Sequence, residues 1–217
     1  MGDGFLYKIR NIPVVYEDDW LLVVNKPAGL LSIPTPRNER YTLTAVLNGE
    51  LKDKKIAYRL HPCHRLDRET SGLVIYAKGK AMQKKTMELF KEKKIKKSYI
   101  AFVHGSLTHA ESEINYPLEK RPALTKYRVI EYRKEFSIVE IMPLTGRTNQ
   151  IRLHFKYIGH PLVGETKYAF RRDFKLKAKR VCLHAKTIDF IHPVTKKPVH
   201  LDIDLPQDLE LFLAQHK

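Results

Sequence analysis

Short apolar runs divided by polar breaks set the pattern of this chain. Leu73-Val74-Ile75-Tyr76-Ala77 is a continuous apolar stretch, rich in β-branched and aromatic residues, between Gly72 and Lys78, so it predicts a buried strand. Trp20 to Val24 predicts another, ended by the turn Asn25-Lys26-Pro27-Ala28-Gly29, where proline and glycine force a reversal. Pro34-Thr35-Pro36-Arg37 reads as loop. Leu43, Val46, Leu47 and Leu51 recur at helical spacing behind a capping Thr42, which predicts a helix over Thr42 to Lys52. Lys80 to Glu92 predicts a second helix, with Met82, Met87, Leu89 and Phe90 toward one face as core residues.

The second half begins with a strand at Ser98 to Val103. Three more follow at hairpin-like spacing: Ser112 to Asn115, Thr125 to Arg133 and Phe136 to Met142, with Lys134-Glu135 turning the last pair. Asn149 to Ile158 has Ile151, Phe155 and Ile158 on one stripe and Asn149, Arg152 and Lys156 on the next. It predicts a helix capped by Thr148 and ended by Gly159. An arginine beside a buried stripe needs an acidic partner. Leu205 to Gln215 predicts a short closing helix, and with no internal repeat or linker the chain reads as one domain over residues 1–217.

Charge changes the picture. Forty Lys and Arg face 24 Asp and Glu, a formal balance of +16, which suits a polyanion such as nucleic acid better than a membrane. Two runs concentrate it: Lys93, Lys94, Lys96 and Lys97 in the first, and Arg171, Arg172, Lys175, Lys177, Lys179 and Arg180 in the second. Both are candidates for phosphate contacts that do not read sequence. Met1 to Arg10 is too short and polar for a secretory signal. Cys63 and Cys182 read as free cytoplasmic thiols, since nothing else suggests an oxidising compartment. The spacings His61-x-Cys63-His64 and Cys182-x-His184 match no standard zinc arrangement. Phosphate-loop and dinucleotide fingerprints are missing from the sequence as well, so neither metal nor cofactor is expected.

The densest chemistry is His64-Arg65-Leu66-Asp67-Arg68-Glu69-Thr70-Ser71-Gly72. Asp67 lies in an irregular segment feeding a core strand, between Arg65 and Arg68, whose charges favour the ionised carboxylate. Such a group serves as nucleophile or base, or simply caps a turn. Tyr99, opening a strand, packs, stacks on a base or moves a proton.

This stretch resembles the signature of the RluA-type pseudouridine synthases, whose invariable aspartate falls at Asp67. Four further stretches agree in order. Trp20 to Gly29 is similar to the family's opening strand and turn, and Lys97-x-Tyr99 to its second motif. Gly146-Arg147-Thr148-Asn149-Gln150-Ile151-Arg152-Leu153-His154 resembles the third, and Val181 to Ala185 the last. The resemblance, spanning Val23 to about Phe190, implies an α+β fold with a central, mainly antiparallel mixed sheet flanked by helices and a basic active-site cleft. It implies catalytic roles for Asp67, Tyr99 and Arg152, the last pairing with the aspartate. Substrate contacts would come from His64, Arg65, Arg68, Thr70, Arg147, Asn149, Gln150 and Leu183. Asn149 departs from the family's usual histidine, which touches a local contact rather than the activity.

The reaction so implied isomerises uridine to pseudouridine in ribosomal or transfer RNA, in the cytoplasm, by a monomer without cofactor. Asp67 would attack sugar or base, or promote loss of the 2′ proton, after the uridine leaves its stack. Before Trp20 there is no room for an N-terminal RNA-binding domain, so the catalytic domain itself would select the RNA. Two other classes fit parts of the pattern. A non-catalytic RNA-binding protein would explain the charge, and a metal-independent ribonuclease would use His64 and His184 as acid and base.

Overall fold

The computed structural model describes residues 7–37, 39–169 and 176–216. The chain divides into two compact units, the first taking residues up to Lys96 together with Thr187–Ile203, the second Lys97–Lys186 and residues from Asp204 on.

In the first unit the strands β1 (Tyr7–Ile9), β2 (Ile12–Glu17) and β3 (Leu21–Lys26) pair in sequence, and β3 then pairs β5 (Ser71–Lys78); β4 (Leu60–Pro62) also lies along β5. All these pairings are antiparallel. Seven consecutive residues of β5, Ser71 to Ala77, are buried, which is why its sequence runs apolar instead of alternating. Leu21 and Val23 of β3 meet Leu73, Ile75 and Ala77 in one core, joined by Met82 and Ile95. The helix α1 (Leu43–Asp53) buries Leu43, Val46, Leu47 and Leu51, the four residues its spacing marks, and Thr42 accepts a hydrogen bond from the Ala45 amide as its N-cap. The second helix, α2 (Lys80–Lys91), buries Met82 and Thr86. Met87 is 49% exposed, which corrects its placement in the core: it falls five residues after Met82, half a turn out of phase, and Thr86 takes the inward position.

The second unit is built on β6 (Lys96–His104), β9 (Phe136–Pro143), β8 (Leu124–Tyr132) and β7 (Glu111–Asn115), paired antiparallel in that order. Its helices are α3 (Gln150–Tyr157) and α4 (Gln207–Gln215). Ile100, Phe102, Phe136, Ile138 and Cys182 form a core with Leu209 and Phe212 of α4. The strand β10 (Leu183–Ile191) passes from this unit into the first, where it pairs β11 (Pro198–Asp202) antiparallel. Cys63 and Cys182 are buried free thiols, and burial pushes both up to about 12, so they stay protonated at neutral pH. Among the described residues no helix is long and apolar enough to cross a membrane.

The start of α3 differs from the expectation. Asn149 sits in the left-handed region at φ 52°, so the helix begins at Gln150 and Thr148 lies one residue outside the capping position. Asparagine and histidine are both enriched in that conformation. The left-handed backbone here is thus one that asparagine adopts readily.

Candidate active site

In the first unit the Asp67 segment is irregular backbone held from several sides. Ser32 donates its hydroxyl to the Leu66 carbonyl at 2.8 Å and accepts from the Leu66 amide at 3.0 Å. Ser32 is in turn fixed to the start of α1, because its carbonyl accepts from the Thr44 amide and hydroxyl. On the other side, the Arg68 carbonyl accepts from the Gly29 amide at 2.8 Å and from Lys26 Nζ at 3.2 Å. The Thr70 amide closes the turn on the Asp67 carbonyl. Asp67 itself is half-buried, with Leu66 and Thr70 buried around it and Arg65 and Arg68 exposed. A side chain presented from so constrained a loop is pre-organised for chemistry.

Lys26 is the surprise. An exposed, solvated lysine is the ordinary reading beside a turn, yet Lys26 is 0% exposed and donates to the carbonyls of Pro27, Leu30 and Arg68. It ties the turn after β3 to the Asp67 loop. Replacing it with methionine keeps the stem and removes the donors, leaving buried carbonyls without that partner. Lys26→Met is expected to cost about 2–3 kcal/mol of stability in urea denaturation and to lower turnover. Wild-type stability together with wild-type turnover would show that the brace is dispensable.

His64 accepts from the Ile75 amide at Nε2, 3.0 Å away, and packs on Phe90. That bond commits the ring nitrogen to β5, so His64 orients the segment. His184 is fully buried, and burial, with Arg180 and Lys186 nearby, pushes it down to about 4. So shifted and enclosed, His184 is not set up as the acid or base that a ribonuclease needs. No cluster of three His, Cys, Asp or Glu suited to a metal occurs among the described residues.

In the second unit the centre is Arg152, 8% exposed on α3. Its Nε and Nη2 donate to Glu165 at 2.6 and 2.8 Å, and its Nη1 donates to Asn149 Oδ1 at 3.1 Å. Glu165 also accepts from the amides of Lys167 and Tyr168. Burial alone would raise its carboxyl; the bonds from Arg152 and these amides outweigh that and hold it below the usual range. Tyr168 lies under the Arg152 guanidinium, 5.0 Å from its ring centre, and its hydroxyl accepts from Asn149 Nδ2 at 2.8 Å. Gly164, at φ 81°, lets the chain reach Glu165: a Cβ there would lie 1.9 Å from the Arg180 carbonyl.

Glu165, to which the sequence alone assigns no role, is thus an acidic partner of Arg152. The signal was the one carboxylate within Gly164-Glu165-Thr166-Lys167-Tyr168, a turn lying soon after the arginine's helix. Tyr99 is buried in β6, opposite Ile141. Leu183 is buried at the start of β10.

Two of the expected contacts change character. Gln150 accepts from the Arg147 amide and the Thr145 hydroxyl, and donates to the Leu124 carbonyl and Thr125 hydroxyl. With every donor and acceptor so engaged, it organises the loop before α3 instead of facing substrate. Arg180 is buried, bidentate to Asp208 and bonded to the Val181 and Leu183 carbonyls, which takes it off the phosphate surface. Lys93, Lys94 and Lys96 are exposed, as are Lys177 and Lys179, which line a cavity of about 340 Å³ with His104, Leu176 and Glu165. Lys97 is half-buried and its ammonium is pushed down by lost hydration. Arg171, Arg172 and Lys175 lie outside the described residues. Arg147 is half-buried, with its Nε on the Pro122 carbonyl.

Comparison with known proteins agrees with these motifs. Residues 20–157 match the family model described as RNA pseudouridylate synthase. The chain is 36% identical over 223 residues to the dual-specificity RNA pseudouridine synthase RluA of Vibrio cholerae, covering 94% of this chain and 88% of that one. It is 35% identical over 203 residues to the RluA of Pasteurella multocida, covering 86% and 90%. The solved structure of human RNA pseudouridylate synthase domain containing 4 shares the fold, with a TM-score of 0.79 at 24% identity over 93% of this chain and 92% of that one. With the signature around Asp67, the extent of the family match and relatives above 30% identity over most of their length, this chain belongs to the RNA pseudouridylate synthases of RluA type and is an RNA-modifying isomerase.

Proposed function

We propose that the protein isomerises particular uridines in ribosomal RNA, transfer RNA or both, with Asp67 as the essential carboxylate. The observation that supports this most is the bracing of the Asp67 loop by Ser32, Gly29 and Lys26, a construction suited to holding one carboxylate against a reacting nucleoside. The reaction breaks the glycosidic nitrogen–carbon bond, turns the uracil and rejoins it through the 5-carbon, with no net redox change. Asp67 attacks the sugar or the base, or promotes loss of the 2′ proton; Tyr99 stacks on the base and takes a proton as the ring is rejoined. Arg152, held by Glu165 and Asn149, serves the charge of the aspartate. Neither metal nor cofactor is required by this chemistry.

The uridine must be flipped out, at a cost of a few kcal/mol, which phosphate contacts offset. Lys93, Lys94, Lys96, Lys177 and Lys179 are the proposed contacts, with Arg171, Arg172 and Lys175 from the second run. The protein acts as a cytoplasmic monomer, as a single catalytic domain over residues 1–217. The test is incubation of the purified protein, free of metal and cofactor, with pseudouridine-free ribosomal and transfer RNA, followed by mapping of pseudouridine. Discrete new sites in one RNA class name the substrate. Tight binding without isomerisation in either class would overturn the proposal in favour of a binding protein.

A further inference from the structure

Away from the residues assigned above, the second unit carries an aromatic pair on its surface. Tyr116 and Tyr157 stack with ring centres 3.6 Å apart and planes 21° from parallel, yet remain 38% and 56% exposed. Two large rings left this open are not there to fill the core. Their mount is firm. Tyr157 ends α3, and the carbonyl of Tyr116 is bonded to Nε2 of His154, one turn earlier on the same helix, at 3.0 Å. A carbonyl only accepts, so His154 carries its proton on Nε2, and burial keeps the ring neutral. His154 is 0% exposed, so this tether is an interior support for a surface feature.

The surrounding charge is basic. Lys156 precedes Tyr157, and the loop after Tyr116 carries Lys120 and Arg121, both exposed, against the single acid Glu119. That loop is a tight turn closed by mutual bonds between Leu118 and Arg121. Its central residues, Glu119 at φ 51° and Lys120 at φ 59°, are both left-handed. Glycine or asparagine would adopt this turn more cheaply, so Glu119 and Lys120 hold charged side chains at positions whose backbone disfavours them. The Arg147 guanidinium bonds the Pro122 carbonyl at the end of the same loop.

We infer that Tyr116 and Tyr157 form a stacking platform for an unpaired nucleobase of the RNA, with Lys120, Arg121 and Lys156 meeting the adjoining phosphates. Stacked aromatic rings beside cations are how proteins hold single-stranded nucleic acid without reading its sequence. The inference rests on the protein's action on RNA but not on which uridine is modified.

Binding of a short fluorescein-labelled oligocytidylate, which holds no uridine to turn over, tests it by anisotropy. Tyr157→Ala is expected to weaken binding about tenfold, with Tyr157→Phe like wild type and Tyr157→Leu as weak as the alanine variant. An abasic strand of the same length should bind wild type and Tyr157→Ala equally. If Tyr157→Leu keeps full affinity, or if Tyr157→Ala loses as much on the abasic strand, the platform is wrong. Failure of the synthase reading would show separately, as missing pseudouridine, and leaves this binding comparison intact.

Discussion

Asp67→Asn is expected to abolish pseudouridine formation while leaving RNA binding in place. Asparagine has nearly the volume of aspartate and the same staggered rotamers, so the braces on Leu66 and Arg68 have no reason to yield. What it lacks is charge and basicity, and an amide is neither a competent nucleophile nor a general base at neutral pH. Turnover should fall by about 10⁴-fold or more, the scale on which removal of an essential nucleophile acts. RNA affinity should hold or tighten slightly, because a negative charge is being removed from a chain with a balance of +16. Asp67→Glu keeps the charge but displaces it by a methylene, which should cost about 10²-fold. Mapping of new pseudouridine, run beside filter binding of the same RNA, separates the two effects. If Asp67→Asn turns over within about tenfold of wild type, Asp67 is a turn residue and the carboxylate chemistry lies elsewhere.

The parts of the structure that could be read from sequence are those whose causes are local. A fully apolar five-residue run between Gly72 and Lys78 became β5, and four leucine and valine positions at helical spacing became the buried stripe of α1 behind its threonine cap. Each depends on neighbours within a turn or two. The Asp67 segment could be located because a polar cluster abutted that strand. Its bracing could not be read, because the partners come from distant points: Ser32 lies 34 residues from Leu66, and Lys26 lies 42 residues from Arg68. A lysine beside a proline-glycine turn carries no mark of being enclosed.

The basic runs show the converse limit. Charge count placed Arg180 with Lys177 and Lys179 on one surface, although Asp208 on a distant helix turns Arg180 inward while the lysines face out. Composition gives the sign of a surface and not the direction of each side chain. The same holds at Gln150, whose amide closes the loop around Thr145 and Arg147. For Arg152 the chemical requirement was legible, since a guanidinium beside a buried stripe needs an acid. That Glu165, thirteen residues downstream, supplies one was a question of tertiary contact.

That pair gives the second large effect. Glu165→Ala leaves the Arg152 guanidinium, 8% exposed, without its bidentate partner, and breaking a buried pair from one side typically costs about 3–5 kcal/mol. For a chain of this size, that corresponds to a fall in Tm of about 10 °C. Glu165→Gln keeps the shape and one acceptor, so it should lose less stability while still releasing the hold on the guanidinium. Turnover by Glu165→Gln should drop about 10- to 100-fold, with RNA affinity little changed, since a misplaced positioning group acts on the reacting geometry. The pH dependence has a definite sign. Because the folded carboxyl sits below its unfolded value, its stabilisation is complete above about pH 4.3 and is lost as pH falls through the lower folded value. Wild type should therefore lose stability in that acid window by an increment that Glu165→Gln lacks, measurable as the difference between their urea midpoints at pH 6 and pH 3.5. Identical acid profiles would mean that Glu165 does not carry the charge Arg152 is held by.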